Sequence, residues 1–325
     1  MKKALIFGIS GQDGTLLADF LLKKGYEIYG TSRDIERNEF KGLIYLNIKN
    51  QIKLCSLTLT DYKSVLQVIE EISPDEIYNL AGETSVSISF QNPIKTTESI
   101  VNGTFNILEA IKVLNLNIKF FNASSSECFG NLTLAATEST KLNPVSPYAE
   151  AKRTAFLLVK EYREKYNLFT CSGILSNHES VFRNSRFISK KIVESAYNIS
   201  IGKQDFVEFG DITIIRDWGW APEYVEAMYM MMQQDFPDDF IIATGKSISL
   251  QKFIEYSFQK FNLDYLKYIR IDESLIRNSE IKSSTLNPEK ALTKLGWAAK
   301  NDVFSMIDML IEEKIHINNI LSKAK

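Results

Sequence analysis

The stretch "KALIFGISGQDGTLLADFLLKKG", residues 3–25, limits the possible folds more than any other. A short apolar run ends at Gly8, glycine recurs at Gly11 and Gly14, and apolar residues then return at helical spacing. Glycines spaced as GxxGxxG let the chain turn sharply from a buried strand into a helix. They also let the backbone approach a pyrophosphate lying at the helix N-terminus. A lone glycine triplet says little. Between a strand and a helix at the head of a strand–helix series, it predicts a dinucleotide site that includes Gln12 and Asp13 of the same turn.

That series continues. "YEIYGTS" (26–32), "IKLCSL" (52–57), "EIYNLAG" (76–82), "IKFFNASSS" (118–126) and "LFTCSGILS" (168–176) read as buried strands. "TDYKSVLQVIEEI", "IKTTESIVNGTFNILEAIKVL" and "SPYAEAKRTAFLLVKEYREKY" read as the helices between them. Right-handed crossovers then give an α/β fold, a Rossmann-like doubly wound parallel sheet. After Ser176 the alternation breaks into the helix "SRFISKKIVESAYNI", the short strand "FVEFGD", the helix "APEYVEAMYMMMQQ", the strand "DFIIATG" and a mostly helical tail with one strand, "YIRI". The expected division is residues 1–177 and 219–245 for the NAD(P)-binding domain. Residues 178–218 and 246–325 form a smaller, discontinuous substrate-binding lobe. The methionines of 228–232 are expected to fill the core on one helix face.

Lys+Arg number 38 and Asp+Glu 40, so no basic excess advertises nucleic acid, and any anion site must be local. No apolar stretch approaches the roughly 20 residues that cross a membrane. The apolar part of "MKKALIFGISG" is too short for a signal peptide and suits a first buried strand. Cys55, Cys128 and Cys171 include no CxxC pair, which points to packing residues in a reducing, cytoplasmic setting. His178 and His316 are too few and too distant to argue for a metal, and His178 is expected as a hydrogen-bonded pocket wall.

Chemistry enters with "SPYAEAK". Tyr148 and Lys152 are one helical turn apart and share a face. The lysine charge is expected to lower the phenol pKa, making Tyr148 a base near neutral pH. Upstream lies "NASSSECFG" (122–130). On an extended strand end, Ser125 and Glu127 would point one way and Ser126 the other. Ser125 can then bond a substrate hydroxyl beside Tyr148, with Glu127 one step further along. An epimerase or simple reductase needs only a hydride acceptor, a hydroxyl and a tyrosine. A dehydratase also needs a base for a carbon acid and an acid for the departing hydroxyl. A solvated loop carboxylate is the plainer reading of Glu127. After the second strand, Arg33 suits the 2′-phosphate of NADP, while Asp34 beside it would suit NAD.

Together "FGISGQDGTLLADFLLKKGYE", "EIYNLAG", "ASSSECFG", "SPYAEAK", "GILSNHES", "RDWG" and "YVEAM" resemble GDP-mannose 4,6-dehydratases, within the extended short-chain dehydrogenase/reductases, over residues 1 to about 298. The resemblance implies NADP-linked oxidation at C4 of the hexose, loss of water across C5–C6 and return of hydride to C6. It places Ser125, Glu127, Tyr148 and Lys152 on the catalytic positions, Tyr148 and Lys152 also touching the cofactor. Asn177 falls on a substrate-contacting position, and Lys191, Arg216, Arg277 and Glu280 on nucleotide-binding ones. It further implies a homodimer or homotetramer, with the helices near 94–115 and 148–166 as the seam. Departures fall at Glu83-Thr84-Ser85, where relatives carry Gln-Ser-His; at Thr58; in the shortened segment after Arg33; and at Val181-Phe182-Arg183. Ser85 is accordingly expected at the sugar. GDP-mannose leads, GDP-N-acetylglucosamine or a GDP-heptose are alternatives, and a nucleotide-sugar reductase or epimerase is a second class. A non-catalytic dinucleotide sensor is a third, to which Ser125, Tyr148 and Lys152 would be superfluous.

Overall fold

The computed structural model describes residues 1–276 and 279–323. Strands β1 (Lys3–Phe7), β2 (Glu27–Ser32), β3 (Ile52–Ser56), β4 (Glu76–Asn79), β5 (Lys119–Ser125) and β6 (Thr170–Leu175) come in sequence from the first half. Outside their sheet lie β7 (Asn177–Glu179), β8 (Val207–Phe209) and β9 (Ile215–Trp220). Then β10 (Phe240–Ile242) returns to the sheet, and β11 (Ser247–Ser249) and β12 (Ile269–Ile271) follow. The helices are α1 (Gln12–Lys23), α2 (Lys41–Tyr45), α3 (Tyr62–Ile72), α4 (Val86–Gln91), α5 (Pro93–Thr97), α6 (Gly103–Leu114), α7 (Pro147–Tyr166), α8 (Ile188–Ser200), α9 (Ala221–Met232), α10 (Leu250–Gln259) and α11 (Val303–Lys323).

The main sheet has seven parallel strands in the order β10-β6-β5-β4-β1-β2-β3. Its two-residue period decides which helices cover which face. Ala4 and Ile6 of β1 join the core that contains Leu17 and Leu21 of α1 and Met228, Met231 and Met232 of α9. Leu5 and Phe7 join the opposite core, with Val65 and Ile69 of α3, Ile107 and Ile111 of α6 and Val159 of α7. Both faces are dry, which is why these strands read as continuous apolar runs. Strand order reverses between β1 and β4, and the crevice beyond their carboxyl ends is where open α/β sheets bind ligands.

The long helix expected from residue 94 is present, its backbone staying helical without a gap from Pro93 to Leu114. A π turn over Glu98–Asn102 joins α5 to α6, a device that re-aims a helix locally and recurs at functional sites. Strands β7, β9 and β11 escape the pattern reading because they are three to six residues long and carry no clean alternation. They form a small sheet in the order β11-β9-β7, while β12 pairs with β8. The lobe has its own core, where Ile192 and Val193 of α8, Phe253 and Phe258 of α10 and Met306 and Ile307 of α11 surround Trp218. Ala291, Leu295 and Trp297 pack back into the sheet's core beside α9, so the chain revisits the first domain before α11. Among the described residues no helix is long and apolar enough to cross a membrane.

Candidate active site

The glycine turn sits at the strand-order reversal. Gly8 has φ +87, and a Cβ there would lie 2.9 Å from the backbone of Leu80 and Ala81. At Gly14 a Cβ would meet the Gly8 carbonyl oxygen at 2.3 Å. Side chains are therefore excluded where the backbone must stay open. Gly11 caps α1 without a side-chain acceptor, leaving the first N–H groups of a twelve-residue helix facing the crevice. A cleft of about 780 Å³ opens here, lined by Gly8, Gly11, Arg33, Thr58, Glu83 and Arg186 among others. This cradle fits a dinucleotide.

Arg33 is exposed and lines that cleft. The Asp34 carboxylate is occupied elsewhere: its Oδ1 accepts from the backbone N–H of Glu36 and Arg37, both at 3.0 Å, and Oδ2 pairs with Arg37 at 3.5 Å. Of the adjacent Arg and Asp, Arg33 lines the cleft while the Asp34 carboxylate is engaged within its own turn.

Asp13 reaches across to the lobe. Its Oδ2 lies 3.0 Å from Nε2 of His178, whose Nδ1 bonds the Ser176 carbonyl at 2.7 Å. The His178 ring stacks on Tyr224 with centroids 4.6 Å apart. Gln12 donates to the His178 carbonyl at 3.0 Å and accepts from the Ser180 hydroxyl at 2.9 Å. Burial opposes charge on both partners, but each supplies the other's counter-charge. The Asp13 carboxyl falls to about 2, and His178 rises above its ordinary value. The glycine turn and β7 are therefore bolted together by an ion pair.

At the corner that holds Tyr148 and Lys152, Ser146 caps α7 by accepting from Ala149 N at 3.1 Å, and Pro147 takes the first helical position. Tyr148 and Lys152 follow on one buried face. Lys152 Nζ donates to the Ala123 carbonyl at 2.7 Å and stands 5.9 Å from the Tyr148 ring centroid. The expectation that this lysine lowers the phenol pKa is corrected. Burial pushes the phenol up, countered by a hydrogen bond with Ser125 and reinforced by the charge of Glu127. Burial also brings Lys152 down to about 8. The lysine is held by the Ala123 carbonyl, and burial is the largest influence on the phenol.

Glu127 is not on an extended strand end, as the sequence suggested. β5 stops at Ser125, and Ser126–Phe129 form a 3₁₀ turn whose cap is the Ser125 hydroxyl, accepting from Glu127 N at 3.2 Å. The carboxylate, mostly buried, lies 4.0 Å from the Arg216 guanidinium. Arg216 in turn donates to Glu280 at 3.0 Å. The structure thus gathers Ser125, Glu127, Tyr148, Lys152, Arg216 and Glu280 around one corner.

The other expected residues are spread. Asn177 opens β7 and pairs in register with Trp218 of β9. Lys191 Nζ donates to the Glu208 carbonyl at 2.6 Å, 5.2 Å from the Phe209 ring centre. Arg277 lies outside the described residues. The Ser85 hydroxyl is engaged in capping α4, accepting from Ile88 N at 3.3 Å, whereas Glu83 and Thr84 line the cleft. Sequence reasoning passed over Arg183 as a site residue. It stacks on Phe187 at 3.6 Å, pairs with Glu179 at 3.1 Å and bears electrostatically on Asp13, His178 and Tyr148. Its place five residues after His178 bears no periodic mark; only its charge in an otherwise uncharged loop start could have flagged it.

A Rossmann-type sheet with a glycine turn at its strand-order reversal, and a Tyr–Lys pair, a serine and a carboxylate nearby, defines the class as a dinucleotide-binding α/β fold. Solved structures share the fold. One is a UDP-glucose 4-epimerase from Thermotoga maritima with UDP-glucose (TM-score 0.86, 19% identity, 97% of this chain and 99% of that one). Another is a dTDP-glucose 4,6-dehydratase from Bacillus anthracis in complex with NAD (0.83, 20%, 96% of each). The family model of GDP-mannose 4,6 dehydratase matches residues 5–310. GDP-mannose 4,6 dehydratase 1 of Arabidopsis thaliana is 36% identical over 97% of this chain and 90% of its own length. A GDP-mannose 4,6-dehydratase of Vibrio cholerae is 35% identical over 97% and 94%. The chain belongs to the GDP-mannose 4,6-dehydratase family.

Proposed function

We propose that this chain removes water from GDP-mannose to give the GDP-4-keto-6-deoxy sugar, using NADP. The observation that carries the reading is the Glu127 carboxylate on its 3₁₀ turn beside Ser125 and Tyr148, in a member of this family. A reductase or epimerase has no task for that group. A nicotinamide held in the cleft by the Gly8–Gly14 turn would supply an acceptor for the C4 hydride and a donor for its return to C6. Tyr148 takes the C4 hydroxyl proton while Ser125 holds the same oxygen. Since burial resists phenolate, Lys152 is needed as a fixed positive charge nearby, held by Ala123. Once C4 is a ketone, the C5 proton is acidic. Glu127 removes it and delivers a proton to the departing C6 hydroxyl, as one positioned carboxyl group can. Arg216 and Lys191 supply cations for the diphosphate, with Asn177 on the sugar side.

Arg33, with Asp34 diverted to its own turn, favours NADP over NAD. Phe105, Leu157 and Tyr166, on α6 and α7, stand 43%, 44% and 46% exposed, an apolar surface suited to a symmetric partner in a homodimer or larger assembly. The three cysteines are free thiols, as suits the cytoplasm. The test incubates the enzyme with NADP or NAD and a panel of GDP-mannose, GDP-N-acetylglucosamine and a GDP-heptose, then reads loss of water by mass spectrometry. Fastest loss from GDP-mannose with NADP is expected. Reduction or epimerisation without water loss would contradict the reading.

A further inference from the structure

One contact on the cleft has no part in the chemistry above. Glu83, just past β4, accepts on Oε1 from the backbone N–H groups of Thr84 and Ser85, both at 2.8 Å. The same oxygen is 3.4 Å from Nη2 of Arg186, which also donates to the Thr84 hydroxyl at 3.1 Å. Arg186 belongs to the segment between β7 and α8, on the opposite wall. That segment is anchored at its start. The Val181 carbonyl accepts from Lys190 at 3.2 Å, and Phe182 meets the Tyr45 ring edge-on at 5.6 Å. A turn closed by Asn184 Oδ1 on Arg186 N, 3.0 Å, then presents the guanidinium to Glu83. Glu83, Thr84, Asn184 and Arg186 all line the 780 Å³ cleft.

We propose that Glu83 and Arg186 form a clasp across the mouth of the dinucleotide cleft and set how fast the cofactor exchanges. The inference rests on the cofactor reading above. The proposed reaction returns its hydride within each turnover, so the cofactor has no need to leave, and a slow exit protects the keto intermediate from being stranded. The bridge is weak enough to open: the Arg186 and Glu83 side chains are 42% and 24% exposed, and ion pairs of that exposure hold modestly. A clasp that closes over both the empty and the filled cleft slows entry and exit alike and leaves affinity nearly unchanged. A residue that ligates a cofactor phosphate slows exit alone. The two roles are therefore separable by kinetics.

The experiment uses the full chain and NADPH fluorescence in a stopped-flow instrument, with association measured directly and dissociation by displacement with excess NADP. Glu83→Gln and Arg186→Met keep the stems of both side chains. Each is expected to speed entry and exit together by about two- to fivefold, with Kd moving less than about twofold, and the double variant should be no faster than either single. Unchanged rates in both singles, faster exit without faster entry, or a double variant showing the product of the two effects would each overturn the clasp. A chain that binds neither NADPH nor NADH would bring down the cofactor reading along with it. Normal binding with unaltered exchange removes the clasp alone.

Discussion

At the Tyr–Lys corner, Ser125, Tyr148 and Lys152 are 9%, 8% and 7% exposed, Ser125 and Lys152 held by backbone partners and Tyr148 by Ser125, whereas Arg33 and Arg186 along the cleft rim are exposed. The two regions hold charge by different means. In the corner, low dielectric governs: it drives the Tyr148 phenol up and Lys152 down, and each polar group is placed by a neighbour that cannot move. On the rim, solvent screens every pair, so the charges select and delay without committing the fold. Losses at the corner should run to orders of magnitude, and losses on the rim to a few-fold or tens.

The sharpest break between the regions is Tyr148→Phe. With no group to take the C4 hydroxyl proton, the first oxidation should slow by ~10²–10⁴, read as single-turnover NADPH absorbance. A wild-type rate would remove Tyr148 from the chemistry. On the rim, Arg33→Ala should weaken NADP by ~10-fold or more, the worth of a charge-assisted bond, and leave NAD nearly unaffected. Equal losses for both cofactors would show that Arg33 does not read the 2′-phosphate.

Between corner and rim lies the Asp13–His178 bolt, and pH separates its halves. The Asp13 carboxyl, depressed to about 2, contributes stability in full above its ordinary 3.8, and that contribution drains as pH falls toward 2. His178, raised above its ordinary 6.5, contributes below 6.5 and loses its share as pH rises through the raised value. It is faced by Asp13 from α1, by Arg183 from the following loop, which opposes its charge, and by the stacked Tyr224 from α9. Melting of the wild type should therefore fall as pH climbs above 6.5, and His178→Gln should flatten that limb. Parallel curves would mean that the histidine is neutral throughout. The smallest effect is expected at Ser85→Ala, about 1 kcal/mol of stability for a lost helix cap, with the order of preference among GDP-sugars retained. A changed order would place Ser85 at the sugar.

How much of this was legible in the sequence follows the same division. The sheet was readable because both its faces are buried, which forces long apolar runs and glycine at positions 8 and 14. Tyr148 and Lys152 were readable because helical spacing alone puts them together. Glu127 was found for its chemistry but placed on the wrong backbone, since nothing in "SSSECFG" distinguishes a strand end from a 3₁₀ turn capped by Ser125. The Tyr148 pKa went the wrong way because spacing shows the lysine and hides the burial. The pairings Asp13–His178, Arg216–Glu280 and Glu83–Arg186 join residues 165, 64 and 103 positions apart, and no local pattern announces contacts made by the return of a second lobe.

The central claim is that Glu127 makes this site a dehydratase, and Glu127→Gln tests it most directly. Glutamine keeps the shape and cannot carry the proton. In a single turnover with GDP-mannose and NADP, the variant should still oxidise C4, with NADPH appearing and persisting, while loss of water measured by mass spectrometry slows by ~10²–10⁴. Water lost at the wild-type rate, with NADPH returning to NADP as before, would contradict the account.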